Sequence, residues 1–177
     1  MALIDDGDLI RGLGFVALYA AYLEDAVDEC LTAVAVRDPE SDPKLYRRPT
    51  SKKIEYIQQQ LKRLEPLSEE LAKFPTILQA ISGLLEERNL VIHGRVYDVP
   101  GVGDVRISGR PGIPEKPATS AELYVLANDL YSACDPLFHA SMFSLHRQFE
   151  AGCSRGPGNA QPITPMDIVH KADVFKR

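Results

Sequence analysis

A cation stands where an apolar side chain would be expected. The stretch Glu86–Gly94, Glu-Glu-Arg-Asn-Leu-Val-Ile-His-Gly, lies in the strongest helical pattern of the chain. With Ile77 as origin and a turn of about 100° per residue, Leu84, Arg88, Ile77, Ile81, Ile92 and Leu85 fall in order along one arc. A charge in such an arc is costly unless it is paired or lines a wet cleft. Arg88 is therefore the first candidate for chemistry, because its planar fork suits the oxygens of a phosphate and brings charge without a metal. Asn89 and His93 are four residues apart and share one helical face, so the amide can orient the imidazole. An imidazole with an ordinary pKa of about 6.5 suits proton transfer at cellular pH. Arg88 lies about 140° from His93 around a straight helix, so one helix does not aim both at one phosphate. A paired motif across a two-fold axis, or unwinding before Gly94, would remove that difficulty.

Several elements must position these residues. Leu9, Leu13, Val16, Ala20, Leu23, Val27, Cys30, Leu31 and Val34 recur at spacings of three and four, which predicts one long helix from Asp8 to about Val36. Phe15, Tyr19 and Tyr22 widen its apolar face. Glu24 sits at the border of that face, either as a solvated edge carboxylate or as the partner of a buried cation such as Arg88. Asp38-Pro39, Asp42-Pro43 and Arg48-Pro49 make a loop. Ser51 is expected to cap the next helix, running to about Glu65 with Ile54, Ile57, Leu61 and Leu64 inward. Arg47, Arg48, Lys52 and Lys53 oppose the dipole at its start and read as a solvated face, with a phosphate-facing patch as the alternative.

Pro66 stops that helix, and Ser68 can cap a short one to about Phe74. Pro75 suits the start of the helix Thr76–His93, which Gly94 would end. Arg95–Val99 and Asp104–Ser108 read as two short strands around a glycine-containing turn, before a Gly- and Pro-rich loop. Thr119-Ser-Ala-Glu122 has the form of a capping box. It opens a long helix with Leu123, Leu126, Leu130, Cys134, Leu137, Met142 and Leu145 inward, kinked or split at Asp135-Pro136. Residues 1–150 therefore read as one mainly α-helical domain with a hairpin insertion at about 95–117. Residues 151–177 form a tail with a linker and a possible short helix, Met166–Phe175.

Composition narrows the function. Lys plus Arg is 20 and Asp plus Glu is 25, a formal net charge of −5, so any nucleic-acid contact must come from a local cationic site. Cys30, Cys134 and Cys153 are odd in number and far apart, which argues against a disulfide framework or zinc ribbon. The absence of a long apolar run and of a signal-peptide pattern predicts no membrane contact and a reducing cytoplasm. Gly101-x-Gly103 lacks the third glycine of a phosphate cradle. His139 and His146 are seven apart without a third ligand, so a helix-surface pair is favoured over a metal site. Neither metal nor cofactor is expected.

Arg88-Asn89-Leu90-Val91-Ile92-His93 fits the arginine–polar–three residues–histidine pattern of HEPN domains (higher eukaryotes and prokaryotes nucleotide-binding). The chain resembles them more broadly, with a long first helix carrying a Glu, the motif near the end of a later helix, and Gly94 after it. The resemblance covers the helical two thirds of the chain. It implies a helical bundle that forms a homodimer, two motifs lining one cleft. It also implies a metal-independent endoribonuclease, a toxin or phage-defence effector that leaves a 2′,3′-cyclic phosphate. His93 would then move protons around the RNA 2′-hydroxyl, Arg88 would engage the scissile phosphate and Asn89 would position them. Arg95 and Glu24 complete the expected site on the substrate side. Some HEPN toxins continue the motif with His-x-Tyr, whose tyrosine a partner enzyme modifies. Arg95 stands at that position here, which puts that silencing scheme in doubt and leaves an antitoxin or other regulatory protein as an open partner. The rival reading is a non-catalytic helical dimerisation or partner-binding module in which Arg88 is structural.

Overall fold

The computed structural model describes residues 3–38, 40–64, 66–101, 103–107, 112 and 114–153. They are mainly helical, with one small antiparallel sheet. Helix α1 spans Leu9–Ala35, α2 Thr50–Arg63 and α3 Phe74–Ile92. Strands β1 (Arg95–Val99), β2 (Gly103–Ile107) and β3 (Lys116–Pro117) follow, then α4 (Ser120–Ser132), α5 (Cys134–His139) and α6 (Leu145–Cys153). The expected Met166–Phe175 helix lies outside the described residues.

The chain divides into two compact units. One comprises the residues up to Glu24 together with Gln79–Asp135. Val16, Ala20 and Leu23 of α1, Ile81, Leu85 and Val91 of α3, and Leu123, Leu126 and Leu130 of α4 are buried in it. Helices α1 and α4 approach closely at Gly12, where a Cβ would stand 3.0 Å from that of Leu123. The Phe15 ring meets Tyr124 edge-on, with centroids 5.7 Å apart. Strands β1 and β2 pair in the register Arg95↔Ile107 to Val99↔Gly103, and the turn between them uses Gly101 and Gly103 at positive φ. Strand β3 extends the expected hairpin through Val105↔Pro117 and Arg106↔Lys116. Thr119 caps α4 by accepting the Glu122 N–H at 3.3 Å, half of the expected box.

The second unit comprises Asp25–Leu78 and the residues from Pro136 onward. Val27, Leu31 and Val34 of α1, Ile54, Ile57 and Leu61 of α2, then Leu71, Phe74, Leu137 and Leu145 are buried there. The Cys30 thiol donates to the Leu137 carbonyl at 3.3 Å. Gln148 of α6 closes the loop after α2, accepting from Ser68 N–H at 2.9 Å and donating to the carbonyls of Leu64 and Pro66.

Four local expectations change. Pro49, not Ser51, holds the N-cap position of α2, and no side chain caps it there. Ser68 starts only a turn, its carbonyl accepting from Leu71 and Ala72. The last long helix breaks at Ala133 and passes through a π-helical segment, Ala140–Ser144, whose extra residue per turn shifts the inward face. Met142 is consequently 48% exposed, and Leu13, expected inside, is 37% exposed.

Candidate functional site

The buried side of α3 in the first unit carries Ile81 and Leu85. Arg88 follows Ile81 by two helical turns and so faces the same way. Its side chain is only 17% exposed. That burial is tolerable because the guanidinium is bound on two sides. Nη2 donates to Oε1 of Glu24 on α1, and Nη1 donates to Oδ1 of Asn89 at 3.1 Å. Glu24 comes to this place one turn after the buried Ala20, with its own side chain 39% exposed. The Arg88 Nε–H is buried and has no hydrogen-bond partner among the described residues.

Asn89 thus turns its carbonyl oxygen to Arg88, whereas the sequence suggested that it orients His93. The His93 N–H donates to the Asn89 carbonyl at 3.1 Å, continuing the last helical turn one residue past Ile92. The imidazole itself is exposed. Gly94 ends the helix by donating to the Val91 carbonyl at 3.3 Å without the positive φ of a left-handed cap. Arg95 opens β1 as an exposed residue. The Tyr97 hydroxyl, on the same face of the strand, raises the pKa of its guanidinium. One chain therefore brings together Arg88, Asn89 and Glu24, and leaves His93 and Arg95 at the surface.

Among the described residues no group of three or more His, Cys, Asp or Glu side chains is placed to hold a metal ion. His139 packs on Phe143 with ring centroids 5.4 Å apart, while His146 Nδ1 lies 2.9 Å from Arg37 Nη2. The cationic run at the start of α2 is largely neutralised. Arg48 donates to Asp42 at 3.0 Å and Lys52 to Glu55 at 2.8 Å. Lys53 is buried, with its ammonium on both oxygens of Asp28 at 2.6 and 2.8 Å. The solvated-face reading fails for Lys53, because its acid partner lies 25 residues away on α1. The signal available was Asp28 itself, a carboxylate next to the core residue Val27.

Compared with protein-family models, curated proteins and solved structures, the chain matches none.

Proposed function

We propose that this protein is a metal-independent endoribonuclease of the HEPN kind, acting as a homodimer in a toxin or phage-defence role. The observation that carries the reading is the Arg88 guanidinium, held in the buried face of α3 by Glu24 and Asn89 with its Nε–H unmet. An unsatisfied buried donor costs about 1–3 kcal/mol, and an incomplete site is one setting in which such a cost persists. In this reading the second copy of the chain supplies the other half. The exposed His93 of one copy then serves the phosphate that Arg88 of the other engages.

The step balances without a cofactor. Neutral His93 takes the proton of the RNA 2′-hydroxyl, and that oxygen attacks the adjacent phosphorus. The bond from phosphorus to the 5′-oxygen breaks, the departing oxygen takes up a proton from water, and the His93 imidazolium returns its proton to the solvent. The products are a 2′,3′-cyclic phosphate and a 5′-hydroxyl. Arg88 offsets the charge that gathers on the phosphorane oxygens.

Purified protein is expected to cleave RNA in excess EDTA, leaving cyclic ends identifiable by mass. His93→Ala should lower the rate by about 100-fold or more; undiminished cleavage by this variant would remove His93 from the mechanism.

The Arg88–Glu24 ion pair also favours a second reading, a non-catalytic helical module in which the pair fixes helix register. Absence of RNA turnover under all conditions, with a sharp loss of stability in Arg88→Ala, would decide for it.

A further inference from the structure

Helix α4 presents Glu122, Val125, Leu126 and Asp129 on one face, at the i, i+3, i+4, i+7 spacing. Opposite them, α3 presents Glu87 and Val91, one turn apart. The groove between these faces holds a cavity of about 300 Å³. A second, smaller cavity of about 70 Å³ shares Val91 and Glu122 and reaches Leu9, Leu13 and Leu123. The floor is thus apolar over both cavities, and Val125 is 60% exposed.

The rim is acidic. The carboxylates of Glu87, Glu122 and Asp129 have no ion-pair or hydrogen-bond partner among the described residues. Lys116 of β3 borders the larger cavity and, among the described residues that line it, offers a single cation against three carboxylates. The groove shares Val91 with the motif segment, but neither Arg88 nor His93 lines either cavity, so its occupation does not require the two side chains given roles in RNA cleavage.

We propose that this groove seats an amphipathic basic helix of a protein partner. Glu122 and Asp129 stand two turns apart, about 10.5 Å along the axis, with the apolar pair between them. A partner helix with the mirrored pattern, a Lys or Arg, two residues, two apolar residues, two more residues and a second Lys or Arg, matches both acids and fills the floor. Helix-in-groove recognition uses these same anchors. A small amine could meet one carboxylate but would leave the apolar floor wet.

The test uses full-length protein with labelled methyl groups and a synthetic alanine-based helix carrying that lysine–leucine–leucine–lysine pattern. Saturable shifts are expected, confined to the methyls of Val91, Val125, Leu126 and Ala121, which all line the larger cavity. The double variant Glu122→Lys/Asp129→Lys should weaken binding by about tenfold. A peptide with glutamates in place of the lysines should bind that variant better than it binds the natural protein. A thermal melt of the variant establishes that it is folded; should it not fold, Glu122→Gln/Asp129→Asn is read in the same way. No binding, shifts spread over the surface, affinity indifferent to the charge reversal, or equal occupancy by butylammonium alone would each overturn the proposal.

Discussion

The guanidinium of Arg88 donates to the carboxylate of Glu24, so the only cation of α3 is tied to α1 from within the buried face of its helix. The two partners are unequally placed, Arg88 being 17% and Glu24 39% exposed. Removing either partner therefore has different consequences. Loss of the acid strands a mostly buried cation, whereas loss of the cation leaves a carboxylate that water can reach.

Glu24→Ala should accordingly lower stability by about 2 kcal/mol. Arg88→Met, which keeps the volume and removes the charge, should cost distinctly less. The comparison is made from urea midpoints of the two variants. Equal losses would mean that the ion pair contributes no more than packing. Under the proposed function, Arg88→Met retains the fold and loses RNA cleavage.

The pair formed by Lys53 and Asp28 gives a second contrast. Lys53 is 7% exposed and both Asp28 oxygens accept from its ammonium. Asp28→Ala leaves that ammonium buried and should destabilise by about 3 kcal/mol. Lys53→Met should stay within about 1 kcal/mol of the natural protein, since the Asp28 carboxylate left behind is 38% exposed and water can reach it. Urea midpoints decide this, and a larger loss for Lys53→Met would contradict the account.

These two ion pairs show what could be read from residue order and what could not. The apolar spacing from Val16 to Val34 specifies α1 locally, and Thr119 with Glu122 marks the start of α4 within one turn. Arg88 was also legible, because a cation in an apolar arc is a local anomaly. Lys53 was not, since its local company of Arg47, Arg48 and Lys52 resembles a solvated face and its partner comes from another helix. The turn of Asn89 towards Arg88 was not legible either, because helical spacing favours His93, four residues on, and the bond to the adjacent residue depends on how the long Arg88 side chain is held by Glu24. The π-helical segment at Ala140–Ser144 changes the period itself, so an inward face extrapolated to Met142 comes out wrong.

Asp38 joins the end of α1 to α2. It accepts from the Tyr56 hydroxyl at 2.7 Å and from Gln60 Nε2 at 2.8 Å. The Tyr56 bond is the largest cause holding the Asp38 carboxyl below its ordinary pKa. Folding thus favours the ionised carboxylate, and the stabilisation is full above the ordinary carboxylate value. It is lost as pH falls through the lower, folded value. Tyr56→Phe should cost about 1 kcal/mol at neutral pH, and its difference from the natural protein should shrink as pH falls below about 4. A pH series of urea midpoints measures this, and a difference that stays constant with pH would show that Asp38 is not the group involved.

Under the proposed function each chain carries half of a site, with Arg88 embedded and His93 displayed. Mixing tests it most directly. His93→Ala and Arg88→Met proteins are coexpressed, purified together and assayed for RNA cleavage in excess EDTA beside each variant alone. Neither variant is expected to cleave alone, and the mixed preparation is expected to, because a mixed dimer joins an intact Arg88 from one copy to an intact His93 from the other. Cleavage by the natural protein, with none from the mixed dimers, would contradict it.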